Sequence, residues 1–188
     1  MKDLPRVGFV CTGENALELS GAICCAGRFM RHFNENGYIT GGCFSCISPS
    51  KQSKLLRERI IHMCACNDLV IAVGCDGFRQ GDVVPDIILS MGCRELTYFS
   101  CKLSSEEYTD IESGKNYKCF PSRSVAAVCD DAVVLSVPAE LPSSLGKLAC
   151  LMSAISFAVG NCKGRVPAKS MELEDLMTDF YAGHNFQD

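Results

Sequence analysis

An apolar run from Leu69 to Val73 leads directly into Gly74-Cys75-Asp76-Gly77; Asp82 follows, with Pro85 and Asp86 just behind it. Glycines at 74 and 77 permit a sharp turn and let a ligand approach the backbone without side-chain interference. Backbone N–H groups in such a turn are suited to a phosphate. A single carboxylate such as Asp82 is the hard oxygen ligand that recruits magnesium through the phosphates of a substrate. Pro85 has the fixed φ that suits the first turn of a helix. Strand, glycine turn, acid and helix start together form the layout of a phosphate- or nucleotide-handling site in an α/β protein. An acid beside a helix N-terminus is also a plain stabilising device, so Asp82 alone does not decide between the two roles.

The elements that must carry these residues follow from periodicity. Val7 to Cys11 reads as a first strand, ending at Thr12-Gly13. Ser20 is suited to cap a helix from about Gly21 to Asn34, with Ala22, Cys25, Phe29 and Phe33 on one face. A second strand lies within Tyr38 to Ile47, weakened by Gly41-Gly42, and a third spans Leu69 to Val73. Helices with the stripes Leu55, Leu56, Ile60, Met63 and Val84, Ile87, Ile88, Met91 follow these two strands. Leu96 to Cys101 predicts a strand, Ser104 to Lys118 a polar surface loop, and Val125 to Val128 and Ala132 to Val137 two more strands. A helix from about Ser143 to Val159 comes next. Three strand–helix units in succession imply a three-layer α-β-α architecture around a mostly parallel sheet. The composition shifts after Gly160, so 1–160 is read as the domain and 161–188 as a linker with an amphipathic helix over Ser170 to Tyr181.

The 188 residues are enough for one domain, and 47% hydrophobic content supplies its core. A net charge of -4 with scattered basic residues excludes the electrostatic footprint of a nucleic-acid binder. The N-terminus opens onto a strand without the apolar core of a signal peptide. The apolar run Leu148 to Val159 is short of the roughly 20 residues that span a bilayer, so a cytoplasmic protein with no membrane role is expected. Without an export signal, the 14 cysteines read as reduced and structural. Cys43 and Cys46 have zinc-knuckle spacing, with His62, Cys64 and Cys66 as further donors, but one pair in a strand is a weak signal.

Four segments carry a resemblance. Glu18-Leu19-Ser20-Gly21-Ala22 opens the first long helix, and Gly74-Cys75-Asp76-Gly77 precedes Asp82 and Pro85-Asp86. Ser122, Arg123 and Val125 follow Pro121, and Val133 to Ala139 forms a strand ending in a turn at Pro138. In this order and spacing they resemble the molybdopterin-binding domain, the fold of the molybdopterin adenylyltransferases and of the corresponding N-terminal domain of gephyrin. That family has an acid and Ser-Gly-Pro, then Gly-Gly-Thr-Gly with Arg-Asp and Pro-Glu, then Ser-Arg-Pro/Ala-Val, then a Leu-Pro-Gly turn. The similarity runs from about Val7 to Val159.

The resemblance implies attack by the molybdopterin phosphate on the α-phosphate of ATP, with magnesium as cofactor. Asp82 would be catalytic and hold the metal. Glu18 would orient the pterin, and Ser20, Gly21, Gly74 and Gly77 would receive phosphates. Asp76, Ser122, Arg123 and Pro138 complete the implied substrate site, and a homotrimer or a pair of trimers is the implied assembly. The chain also departs from the pattern. Asp76 replaces the Thr, Cys75 the second Gly and Gly81 the Arg; Ser48-Pro49-Ser50 lacks the Asp expected after the second strand. Thr12-Gly13 and Ala139-Glu140 replace two further polar pairs. A carboxylate about 4 Å from a phosphate charge costs about 4 kcal/mol at an effective dielectric near 20. Asp76 therefore points away, shares a metal with Asp82, or marks a site that has lost its nucleotide. Slow or absent adenylation is expected. The alternative function is a catalytically inactive pterin-binding or oligomeric scaffold.

Overall fold

The structure, a computed structural model, describes residues 4–109 and 113–162. In chain order the elements are β1 (Arg6–Gly13), α1 (Ala16–Glu35), β2 (Ile39–Ile47), α2 (Ser53–Cys66), β3 (Leu69–Val73), α3 (Val84–Ser90) and β4 (Arg94–Glu95). They continue with α4 (Thr97–Ser104), β5 (Glu107–Thr109), β6 (Asn116–Lys118), β7 (Ala126–Cys129), β8 (Ala132–Val137), α5 (Ser143–Cys150) and α6 (Met152–Cys162).

Six strands form one sheet in the order β2-β1-β3-β8-β7-β4. β1 pairs in parallel with β2 and β3, and β3 with β8; β7 and β4 complete the sheet as antiparallel neighbours. Every residue of β3 is buried because helices cover both faces. Alternate residues divide between two cores, as the pleat requires. Phe9, Ile71 and Leu135 pack with Ala22, Phe29 and Phe33 of α1, Leu148 of α5 and Ile155 of α6. Val10, Val70, Ala72 and Val134 pack with Leu56 and Ile60 of α2 and with Ile87 and Ile88 of α3. The three-layer α-β-α reading holds.

Several local expectations are corrected. Helix α1 begins at Ala16, because Asn15 caps it: its side chain accepts from the N–H of Glu18 at 3.0 Å. Ser20 and Gly21 therefore lie inside the helix rather than at its start. Leu17 is exposed, so the apolar stripe that revealed the helix begins a turn late. Leu96 to Cys101 is mostly helix α4 rather than strand. Its signal was present: Leu96, Phe99 and Leu103 recur at helical spacing and reach the same core. The predicted loop contains the hairpin β5–β6, in which Tyr108 and Tyr117 stack at 5.4 Å. Tyr108 also lies on Gly146 of α5, where an added Cβ would come within 2.3 Å of its ring. The last predicted helix is two, bent by 60° at Leu151, and α6 carries through residues 161 and 162. No single helix among the described residues is long and apolar enough to cross a membrane.

The reading of the cysteines as all reduced is also corrected, because Cys93 and Cys129 form a disulfide with Cα atoms 4.7 Å apart. They are 36 residues apart in the chain, and only the antiparallel pairing of β4 with β7 brings them together. The expected helix at Ser170 to Tyr181 lies outside the described residues.

Candidate functional site

β1, β3 and β8 are mutually parallel, so they end on one side of the sheet, at Gly13, Val73 and Val137. α1 leaves the end of β1 over one face, whereas α2 covers the opposite face. Such a switch between strands leaves a crevice at their carboxyl ends. A cleft of about 670 Å3 lies there, lined by Thr12, Glu18, Gly21, Gly74, Asp76, Gly77, Phe78, Arg79, Asp82, Phe120, Pro138 and Glu140.

The glycine turn forms its floor. Gly74 has φ +93° and Cys75 φ +49°, and the Gly74 N–H donates to Val137 O at 2.9 Å. The turn is pressed against β1: a Cβ on Gly74 would stand 2.4 Å from the carbonyl oxygen of Thr12. Only glycine meets both demands at once. Among the described residues, none accepts a hydrogen bond from the N–H of Cys75, Gly77 or Phe78.

Asp76 is turned toward a buried serine pair. Ser124 Oγ donates to Asp76 Oδ2 at 2.6 Å, and the hydroxyls of Ser122 and Ser124 are 2.7 Å apart. Burial pushes the Asp76 carboxyl up from its ordinary 3.8 to about 6; the Ser124 hydrogen bond opposes this, and the charge of Asp82 adds to it.

Asp82, only 3% exposed, is held by Arg79. The Arg79 backbone N–H donates to Asp82 Oδ2 at 2.8 Å, its Nε to the same oxygen at 3.3 Å, and its Nη2 to Oδ1 at 3.2 Å. Arg79 Nη1 crosses the cleft to Glu18 Oε1 at 2.8 Å, and Glu18 Oε2 accepts from the N–H of Glu14 at 3.1 Å. The hydrogen bond from Arg79 lowers the pKa of the Glu18 carboxyl, and the two carboxylates raise that of the guanidinium.

Of the residues singled out in the sequence, Glu18, Gly21, Gly74, Asp76, Gly77, Asp82 and Pro138 line this one cleft. Ser20 is exposed on α1 outside it. Ser122 is buried behind Asp76, in contact with Ser124. Arg123 lies across the start of α3: Nη1 donates to Asp82 O at 3.4 Å, and Nη2 pairs with the Asp86 carboxylate. Three residues went unnoticed in the sequence. Arg79 had a signal in its i, i+3 spacing to Asp82. Phe78 and Phe120, 68% and 76% exposed on the cleft rim, had none. Beside the cleft, Glu14 accepts from Ser50 N at 3.0 Å and from Ser50 Oγ at 2.8 Å.

Two metal readings can be weighed against these donors. Among the described residues, no three His, Cys, Asp or Glu side chains are grouped to hold a metal ion. The Arg79 guanidinium sits against both Asp82 oxygens and against Glu18, so a magnesium ion there would meet a cation already in place; the donor set fits a guanidinium and does not fit magnesium beside it.

No family model and no curated protein matches this sequence. Solved structures do. The molybdopterin biosynthesis enzyme MoaB of Thermus thermophilus superimposes with a TM-score of 0.66 at 16% identity, over 87% of this chain and 99% of that one. A molybdopterin biosynthesis protein of Mycobacterium abscessus gives 0.63 at 17% identity, over 92% and 98%. The tungsten cofactor synthesizing protein MoaB of Pyrococcus furiosus gives 0.60 at 13% identity, over 86% and 99%. The chain therefore has the molybdopterin-binding-domain fold, and at these identities the likeness establishes that architecture alone.

Proposed function

We propose that this cleft binds a phosphorylated pterin of the molybdopterin type, in molybdenum cofactor biosynthesis, without transferring an adenylyl group to it. The observation that carries the reading is the arrangement of Glu18, Arg79 and Asp82 across a cleft at the carboxyl ends of β1 and β3. A pterin is a flat ring with an N–H-bearing pyrimidinone edge. Carboxylate oxygens such as those of Glu18 accept from that edge, since each has a second lone pair beyond the bond already made. Phe78 and Phe120 offer exposed ring faces to the heterocycle. Its phosphate would meet the guanidinium of Arg79 and the N–H groups of the Gly74–Gly77 turn.

Nucleotidyl transfer places more demands on a site than binding does. It needs two phosphate-bearing substrates aligned and their charge neutralised. Here Asp76 and Asp82 are both carboxylates close to the turn, and Arg79 is already engaged by two acids. These features support a binding protein over an adenylyltransferase. A homotrimer or a pair of trimers is the proposed assembly, with exposed Leu17 and Ile23 on α1 and Phe157 on α6 as apolar side chains for it to cover.

The test is calorimetric titration with molybdopterin, followed by incubation with ATP and magnesium. Saturable binding without formation of adenylated pterin is the expected result. Absence of binding, with a stable oligomer in solution, would favour the scaffold. Turnover abolished by Asp82→Asn would make the protein an adenylyltransferase.

A further inference from the structure

Asp82 is closed on two sides. The Gly77 backbone lies against it on one, so near that a Cβ there would stand 2.7 Å from Asp82 Oδ2. Arg79 closes the other, through its main-chain N–H and two guanidinium nitrogens. The same guanidinium reaches Glu18 on α1. A divalent ion at Asp82 would have to displace a cation that binds both acids and is tied in place by its own backbone.

The Arg79 side chain is nevertheless 65% exposed, on the open side of the cleft. A guanidinium has five donors. Three are used in the bonds to Asp82 and Glu18, leaving two for a further anion. The charge balance limits what that anion is. Arg79 brings one positive charge to two carboxylates, whereas a divalent metal would bring two. Glu18 and Asp82 together keep one negative charge beyond that of Arg79; Asp76 adds another when ionised, opposed by the nearby charge of Lys147. Glu140 lines the same cleft. A nucleoside triphosphate, with about four negative charges at neutral pH, is a poor match for such a surface. A ligand with one phosphate monoester is a better one.

We propose that Arg79 is this cleft's built-in substitute for a divalent cation: the site takes no metal, and its anionic ligand, a phosphate monoester on a flat ring, meets the guanidinium instead. The ligand's class rests on the phosphopterin reading above; the exclusion of metal rests only on the geometry of Arg79, Glu18 and Asp82.

The experiment has two arms on the full chain. In the first, manganese(II) is titrated and followed by electron paramagnetic resonance. The wild type is expected to bind none at millimolar concentration. Arg79→Ala is expected to bind it, because two acids are then left without a cation. In the second, a pterin monophosphate and ATP are titrated calorimetrically in EDTA and in magnesium. Wild-type affinity for the pterin phosphate is expected to be the same within about twofold in both buffers and tighter than for ATP. In Arg79→Ala it falls at least about tenfold in EDTA and partly recovers in magnesium. Arg79→Lys, which keeps the charge but cannot fork across both acids, should fall between them.

Stoichiometric manganese binding by the wild type, magnesium-dependent affinity, or variants indistinguishable from wild type in both arms would overturn the proposal. If the wild type bound no pterin phosphate in either buffer while Arg79→Ala gained manganese, metal exclusion by Arg79 would stand and the phosphopterin reading would fall.

Discussion

The hydroxyl of Ser124 lies 2.6 Å from the carboxylate of Asp76, beneath the turn that carries the cleft floor. An aspartate in this turn is thereby accommodated. The acid is drawn into the serines of the segment before β7, and burial raises its pKa to about 6.

This relationship predicts a pH dependence. A carboxyl raised in the folded state holds a proton that the unfolded chain releases. Its favourable contribution is therefore complete below pH about 4 and is lost as pH rises through about 6. The elevation from 3.8 to about 6 corresponds to about 3 kcal/mol. Asp76→Asn keeps the shape and an acceptor for Ser124. Its melting temperature relative to wild type should climb between pH about 4 and about 6 and stay level above, as measured by thermal denaturation across that range. A difference independent of pH would mean that Asp76 does not titrate there.

Gly74→Ala tests the turn itself. The new methyl would meet a backbone carbonyl of β1 at 2.4 Å, in a φ +93° conformation that alanine resists. Strain of this kind costs about 1–3 kcal/mol before the clash is counted. Denaturant titration should show at least that loss, and ligand affinity should fall with it.

The aromatic rim gives a separable result. Phe78→Ala and Phe120→Ala remove exposed rings, so the melting temperature should move little. A stacking partner contributes about 0.5–1.5 kcal/mol, so each change should weaken pterin binding roughly two- to tenfold. Calorimetry that found unchanged affinity in both variants would remove the rings from the site.

Cys43 is predicted to be a reactive thiol. Its Sγ lies 3.8 Å from that of buried Cys11, and this contact lowers the Cys43 pKa below that of an ordinary thiol. Alkylation of Cys43, followed by mass spectrometry, should rise at lower pH than that of exposed Cys24. Cys11→Ala removes the partner and should move that rise to higher pH.

Reduction should report on the edge of the sheet. The Cys93–Cys129 bond spans 36 residues, and a closure of that length contributes about 4 kcal/mol in the chain-entropy account. A wild-type protein that melts lower in reductant, beside a Cys93→Ser variant that does not respond, is the expected pair of results.

How much of this was legible differs by residue. Leu69 to Val73 could be read as a strand because it is apolar throughout, and it proved central and covered on both sides. The Gly74–Gly77 turn was legible because paired glycines after such a strand mark a sharp turn, and Asp82 was placed near it by its short separation in the chain. The start of α1 was not, since exposed Leu17 hides the first turn from any periodicity. The hairpin β5–β6 was missed because three-residue strands give too little alternation to register.

By itself, the sequence determined the alternation of strands and helices, the position of the glycine turn and the identity of the acids near it. Local backbone preferences and hydrophobic periodicity act over a few residues, and a sequence states them directly. Tertiary structure alone decided that Arg79 faces Glu18, that Asp76 turns to Ser124, and that Cys93 meets Cys129. The first of these joins residues 61 positions apart, the second 48 and the third 36. Which charges meet over such separations depends on how the sheet orders its strands, and no local pattern in the chain encodes it.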